Sequence, residues 1–308
     1  MRIEQLDGDA LATRLSIEGL TASVGPFSVR FRSPLPAVAS YISSHYGAFP
    51  VLDQDGCHIA IDIDAARGIR TFIRRQAVFR GDGMEPFFPL PQDKAPALLE
   101  WGFNWCIGRR IHHLVVVHSA VIAREGRAAL LPAPPESGKS TLCAALVAHG
   151  WRLCSDEFAL VDPVTSRIFP LPRPISLKER SIEIIGGRMR GARFGPEVTD
   201  VEGTRTRYVA PPAESVARAA DTVRAAWVVV PKYVPDAKTV FETVTHARML
   251  AHLADSSYNY NALGPAGFNA LARLADGSTC HKLTYSSLDE ALALFDELAT
   301  APHEAPGT

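Results

Sequence analysis

The stretch Pro132-Ala133-Pro134-Pro135-Glu136-Ser137-Gly138-Lys139-Ser140-Thr141 decides how the rest of the chain is read. An apolar run, Ala128 to Leu131, precedes it, and a helical one, Leu142 to His149, follows, so it sits at a strand-to-helix turn. Successive backbone N–H groups at such a turn converge on an anion, and the positive end of the helix dipole points the same way. The loop from Ala133 to Thr141 would then cradle a β-phosphate. The Lys139 ammonium would reach the β- and γ-phosphates and the Ser140 hydroxyl would ligate Mg²⁺, which makes ATP and Mg²⁺ the expected ligands. The pattern departs from the usual glycine-rich form. Ala133 holds the first glycine position, and Pro134 and Pro135 stiffen the loop and remove two N–H donors. The plain alternative is a turn that merely joins a strand to a helix. Lys139→Ala separates the two, because only a phosphate loop loses its affinity for Mg-ATP with that change.

Downstream, Trp151-Arg152-Leu153-Cys154-Ser155-Asp156-Glu157 places two adjacent acids at the predicted end of a short strand. One carboxylate can hold Mg²⁺, and a second can take the proton of an attacking hydroxyl. A surface turn with two solvated acids is the competing reading. Upstream, His118 is predicted to end the strand begun by Leu114-Val115-Val116-Val117, near enough to the acids for imidazole and carboxylate to adjust each other's ionisation. A histidine on an apolar strand is otherwise a satisfied core residue. His112, His113 and His118 lack cysteines or carboxylates at ligand spacing, which argues against zinc.

Taken together, His118, the Gly138-Lys139-Ser140 loop and Arg152-Leu153-x-x-Asp156-Glu157 resemble the nucleotide core of the HPr kinase/phosphorylase family, over roughly His113 to Leu160. Arg173-Pro174-Ile175-Ser176-Leu177-Lys178 and Ala254-Asp255-Ser256-Ser257-Tyr258-Asn259-Tyr260 look like the bacterial offshoot called HPr-kinase-related kinase A. The resemblance implies an α/β fold of the carboxykinase-like P-loop kind, and an ATP-dependent kinase acting on a serine or threonine hydroxyl of a small protein or peptide. It gives Asp156 the base position, Glu157 the metal or orienting position beside Ser140, and His118 the part of a tuning partner. It also implies a homo-oligomer. The sequence departs from the family at Ala133, at Glu157 where the family has a second aspartate, and in lacking a readable Glu-x-Arg-Gly segment. Glu179 and Glu183 are candidates for the missing acid. The reverse reaction on a phosphoserine and the HPr protein as acceptor are therefore not carried over.

The remaining sequence bounds these expectations. Of the 308 residues 47% are hydrophobic and 21% charged, which suits a water-soluble chain, and a formal net charge of −1 gives no general attraction to nucleic acid or to an anionic membrane. The five cysteines are scattered, with Cys143 and Cys154 in apolar contexts that predict reduced core thiols. With an acidic N-terminus and no membrane-length apolar run, a cytoplasmic location follows. Residues 1–112 alternate over Phe27 to Arg32, Cys57 to Ile63 and, more loosely, Arg70 to Arg80, which predicts a smaller, mostly antiparallel β region with helices near Pro36 to Tyr46 and Asp93 to Arg110. From residue 113 to 300, strands and helices alternate as in a layered α/β domain, followed by a frayed tail over 301–308. Within that span Gly186 to Gly203, rich in glycine and arginine, is predicted to be a mobile loop. Lys178, Arg188, Arg190, Arg205 and Arg207 around it are candidates for the γ-phosphate. Two further functions stay open: a kinase of the same fold with a small-molecule acceptor, and an ATP-binding sensor or scaffold without chemistry.

Overall fold

A computed structural model of the chain describes residues 1–54, 56–68, 74–199 and 203–301. The first part runs α1 (Gly8–Ile17), β1 (Leu20–Val24), β2 (Phe27–Arg32), α2 (Pro36–His45), β3 (Ile59–Ala65), β4 (Gln76–Gly81), β5 (Leu90–Pro91) and α3 (Ala95–Arg110). There follow β6 (Val115–Arg124), β7 (Arg127–Pro132), α4 (Lys139–Ala148), β8 (Arg152–Ser155), β9 (Phe158–Val161), β10 (Ile168–Phe169), β11 (Ile175–Lys178) and α5 (Arg180–Arg188). The chain ends with β12 (Phe194–Thr199), β13 (Arg205–Val209), α6 (Ala213–Ala217), β14 (Arg224–Tyr233), β15 (Val240–Thr243), α7 (His246–Asp255), α8 (Pro265–Asp276), β16 (Thr279–Tyr285) and α9 (Leu288–Thr300). It is a mixed α/β protein in which no helix of the described residues is long and apolar enough to cross a membrane. The chain divides into two compact units, and the division does not follow chain order.

The first unit holds Met1–Arg110 together with Ser176–Ile182 and Gly191–Ala217. Its main sheet has the order β1-β2-β3-β4-β5. Gly25, at φ +60°, closes the two-residue β1–β2 turn, a position that favours glycine. β2 and β3 pair in parallel, with α2 in the connection, and the other pairs are antiparallel. Helix α3 lies close on this sheet because Gly102 has no side chain, and a Cβ there would come within 2.0 Å of the Phe79 ring. The alternation read over Arg70 to Arg80 is a strand from Gln76 onward, and its start, residues 70–73, lies outside the described residues. Helix α1 escapes the sequence reading because it buries only Leu11 and Leu15, too narrow a stripe to register as a period. Gly186 to Gly203 is not the loop expected from its composition. α5 reaches Arg188, and Phe194–Thr199 pairs with Arg205–Val209 as an antiparallel strand. Two of the candidate arginines, on β13, are held: Arg205 pairs with Glu197 at 2.8 Å, and Arg207 lies over the Phe194 ring.

The second unit holds Ile111–Ile175, Glu183–Arg190 and Arg218–Thr308. Its sheet has the order β10-β9-β6-β7-β14-β16-β15, with β8 also on β6. β7, β14 and β16 run parallel at the centre, flanked by antiparallel strands on both sides. Val115, Val117, Val121 and Ala123 of β6 join Ala128, Leu130 and Val228 in one buried cluster with Met249 and Leu253 of α7 and Ala270, Leu271 and Leu274 of α8. The alternate residues Val116, Ala120 and Ile122 are buried on the other face. α4 and α9 pack together and reach β6 and β16, with Trp151 edge-on to Phe295 at 5.8 Å. A strand set buried on both faces is the physical basis of a layered α/β domain. Caps fix the helix starts: Thr245 accepts from Arg248 N and Ser287 from Glu290 N, while Pro265 opens α8. The tail beyond Ala301, expected to fray, lies outside the described residues.

Candidate active site

β7 delivers the chain into the loop at Pro132, and α4 receives it at Lys139. Two residues of the turn adopt left-handed conformations, Glu136 at φ +65° and Gly138 at φ +87°. Gly138 is required twice over, since a Cβ there would also lie 2.7 Å from the Tyr285 hydroxyl and 2.9 Å from Tyr233 Cβ. The loop is tied down from β14 and β16. Tyr233 N donates to Ser137 O at 2.9 Å, and the Tyr285 hydroxyl donates to Gly138 O at 3.2 Å. Ala133, the departure from the glycine pattern, fits with its methyl buried, so the strand-to-loop junction has room for a side chain. Pro134, Pro135 and Glu136 are exposed. Ser137 is 9% exposed, and its hydroxyl has no partner among the described residues. A buried hydroxyl without a protein partner is uncommon in a folded chain. Ser140 and Thr141 are half-buried at the start of α4.

His118 does not end its strand; β6 continues to Arg124. It reaches the loop through register. Ser119 pairs with Pro132, so His118 stands one step beyond the last residue of β7, level with the point where the loop begins. The Lys139 ammonium donates to His118 Nε2 at 2.5 Å. An ammonium has only donors, so Nε2 is the accepting nitrogen and the imidazole proton sits on Nδ1. Nδ1 in turn lies 3.7 Å from Glu157 Oε2 and 3.4 Å from the Tyr258 hydroxyl. Burial, and then the Lys139 charge, push the His118 pKa down to about 4, so the ring is neutral near pH 7.

The acids follow the end of a short strand, as predicted, in the two-residue break between β8 and β9. His118 faces Phe158 and Val121 faces Ser155 in the same antiparallel register, so β8 and β9 are one line of chain along β6, interrupted at Asp156 and Glu157. Ser119 N donates to Glu157 O at 3.1 Å and holds the interruption in place. Asp156 is 3% exposed, and Glu157 is half-buried. The Cys143 thiol on α4 hydrogen-bonds with Asp156, and burial followed by that carboxylate's charge pushes the thiol pKa well up. Cys143 and Cys154 are both free and buried, as their apolar contexts predict.

Several partners of this site are far away in sequence. Ser256 O accepts from His118 N at 2.7 Å, and Tyr258 N donates to Val116 O at 2.9 Å. The buried Asn259 side chain accepts from Val116 N and donates to the carbonyls of Ile111 and Leu114, all within 2.9 Å, so three bonds fix the start of β6. The segment Ala254 to Tyr260 was legible as a likeness, but its role as the clamp on His118's strand was not. Arg173 was not among the basic candidates. It is 7% exposed and lines a small crevice with Ser155, Asp156, Glu157, Phe158, Leu171 and Pro174. Of the expected basic candidates in this unit, Arg188 pairs with Asp289 at 2.8 Å and Arg190 is exposed. Arg152, part of the acid-bearing motif, donates to Asp221 O at 2.9 Å and so anchors β8 to the turn before β14.

The arrangement joins a strand-to-helix loop, a buried ammonium, a neutral imidazole and a carboxylate pair in the break between two neighbouring strands. Its oxygen donors, the Ser140 hydroxyl and the two carboxylates, are those a hard cation such as Mg²⁺ takes. No group of three or more His, Cys, Asp or Glu side chains arranged for a metal occurs among the described residues. No protein-family model matches the chain, and no curated protein matches it significantly.

Proposed function

We propose that the second unit is a carboxykinase-like P-loop domain and that the chain is an ATP-dependent kinase, transferring the γ-phosphoryl group to a hydroxyl on a small protein or peptide. The observation that carries this reading is the convergence of three groups, Lys139 hydrogen-bonded to His118 and the Glu157 carboxylate 3.7 Å from the other ring nitrogen, with Asp156 next to Glu157 in the chain. A loop that only turned a strand into a helix has no need to bury its lysine against a histidine and a carboxylate. Lys139 would neutralise phosphate charge, and its three donors allow it to hold His118 and phosphate oxygens together. His118, neutral with its proton on Nδ1, would orient Lys139 on one side and Glu157 on the other. Asp156 would accept the proton of the attacking hydroxyl. Mg²⁺, held by Ser140 with Asp156 and Glu157, would supply charge neutralisation on the phosphate oxygens. A cytoplasmic, homo-oligomeric enzyme is part of the same proposal.

The test is γ-labelled ATP with Mg²⁺ and cytosolic extract from the source organism, with wild type beside Lys139→Ala and Asp156→Asn and the products resolved by size. A labelled protein band that requires both residues is the expected result. Label in a small product instead would make the acceptor a metabolite. One observation favours a sensor: the two prolines leave the loop with fewer donors for transition-state charge. ATP binding with no label in any lane would establish that alternative and remove the kinase.

A further inference from the structure

The chemistry assembled around the loop is all on one side of it. In the sheet order β9-β6-β7-β14, the strand that feeds the loop has His118 and the acids on its β6 side and β14 on its other side. For a nucleotide whose γ-phosphate lies at Lys139, His118 and Asp156, β14 is the strand on the side of the loop away from those groups, and its end is open to the nucleoside. The residue at that end of β14 is Tyr233.

Tyr233 is built into the loop and yet open. Its N–H donates to Ser137 O at 2.9 Å, and the next N–H, of Val234, donates to Tyr285 O at 2.9 Å. The backbone on both sides of the ring is thereby fixed, one side to the loop and the other to β16. The ring stands edge-to-face on Tyr285 at 5.8 Å, and Tyr285 is buried, whereas Tyr233 is 42% exposed. Its Cβ approaches Gly138 closely enough that only glycine fits there. A rigidly held aromatic ring, exposed beside a phosphate cradle, has the properties of a stacking surface for a base.

We propose that Tyr233 is the platform on which the nucleobase of the bound nucleoside triphosphate stacks. The inference rests on the phosphate-loop reading above and adds the nucleoside half of the site. Every base has a π face, so the platform takes purine triphosphates with little distinction between ATP and GTP.

Calorimetric titration of the full chain with Mg-ATP, Mg-GTP and Mg-tripolyphosphate tests it, comparing wild type, Tyr233→Ala and Tyr233→Phe. The expected result is a loss of about ten-fold in affinity for both nucleotides in Tyr233→Ala, the order of one lost base–aromatic stack. Tripolyphosphate affinity should stay unchanged, and Tyr233→Phe should bind as wild type does. Equal weakening of nucleotide and tripolyphosphate would overturn the platform, because Tyr233 would then act only through its bonds to the loop. Unchanged nucleotide affinity in Tyr233→Ala would overturn it directly. If wild type bound neither nucleotide nor tripolyphosphate, the phosphate-loop reading itself would fail and take the platform with it.

Discussion

Each unit buries a cluster of ionisable side chains, and the two clusters are finished differently. In the first unit Glu100, 2% exposed, accepts hydrogen bonds from Tyr41 at 3.0 Å and Tyr46 at 2.7 Å. His45 stacks on Tyr41 with centroids 4.3 Å apart and is bonded through Nδ1 to Ser44 and through Nε2 to Tyr208 O. Burial pushes the Tyr41 pKa well up and the His45 pKa down, so both are held neutral. This is a closed polar core, and its members specify packing. In the second unit the line Lys139–His118–Glu157 ends at a strained loop that carries an unpartnered hydroxyl. The same physics of burial and pairing gives a support in one place and, on the reading proposed above, a phosphate-binding site in the other. What separates them is the exposed loop and the unpartnered Ser137 hydroxyl beside the second.

The largest effect that would break this comparison is on the closed cluster. Glu100→Leu removes the acceptor of two buried tyrosine hydroxyls, and each hydroxyl left unsatisfied costs ~1–3 kcal/mol. The expected loss is about 3 kcal/mol or more in a urea unfolding titration, with Glu100→Gln, which keeps an acceptor, losing much less. Mg-ATP affinity of the folded variant should be unchanged. A Glu100→Leu protein as stable as wild type would show that the cluster is not a structural core.

Next in size is a pH effect on the open cluster. The His118 pKa is about 4 in the fold against 6.5 for the free side chain. Between these values the unfolded chain binds a proton that the folded chain does not. Stability is therefore retained above pH 6.5 and falls as pH drops toward 4. The fall amounts to ~3 kcal/mol, because each ten-fold difference in proton affinity between the two states is worth ~1.4 kcal/mol. His45 and His281 are also lowered by burial and add slope of the same sign, so the contribution of His118 is read as a difference. His118→Gln should flatten the wild-type dependence across that window by about this amount. In Lys139→Met, the imidazole should titrate above 4 in an NMR experiment, because one of its two depressing influences is gone, and still below 6.5, because burial remains.

How much of this was readable beforehand follows from the range of the interactions. The Gly138-Lys139-Ser140 turn, the acids and the helices α7, α8 and α9 announce themselves through spacing within a few residues. The tying residues do not. Tyr233, Tyr285 and Asn259 stand some 90 to 150 residues from the groups they hold, and nothing local distinguishes them from other strand or turn tyrosines and asparagines. His118 was recognisable as a residue, but its place was not, because only the Ser119–Pro132 register sets it level with the loop. β12 was missed for a different reason. Its partner strand β13 and the Glu197–Arg205 pair supply the order that a glycine- and arginine-rich composition conceals.

The smallest expected effect sharpens the comparison most, because it touches the boundary between support and site. Tyr285 is buried like the tyrosines of the closed cluster, and its own pKa is pushed up by burial and by Tyr233, yet its hydroxyl donates to the loop carbonyl Gly138 O. That carbonyl also accepts from Leu142 N at 2.9 Å, so Tyr285→Phe does not orphan it. The stability loss should accordingly be at the low end for a hydrogen bond, ~0.5–1 kcal/mol. Tripolyphosphate binding should weaken along with it, since the constraint removed acts on the residue just before Lys139. Tyr46→Phe in the closed cluster should cost a similar amount of stability and leave tripolyphosphate binding untouched. If the two tyrosines behaved alike in both measurements, the loop would owe nothing to its tethering, and the distinction between the clusters would reduce to burial alone.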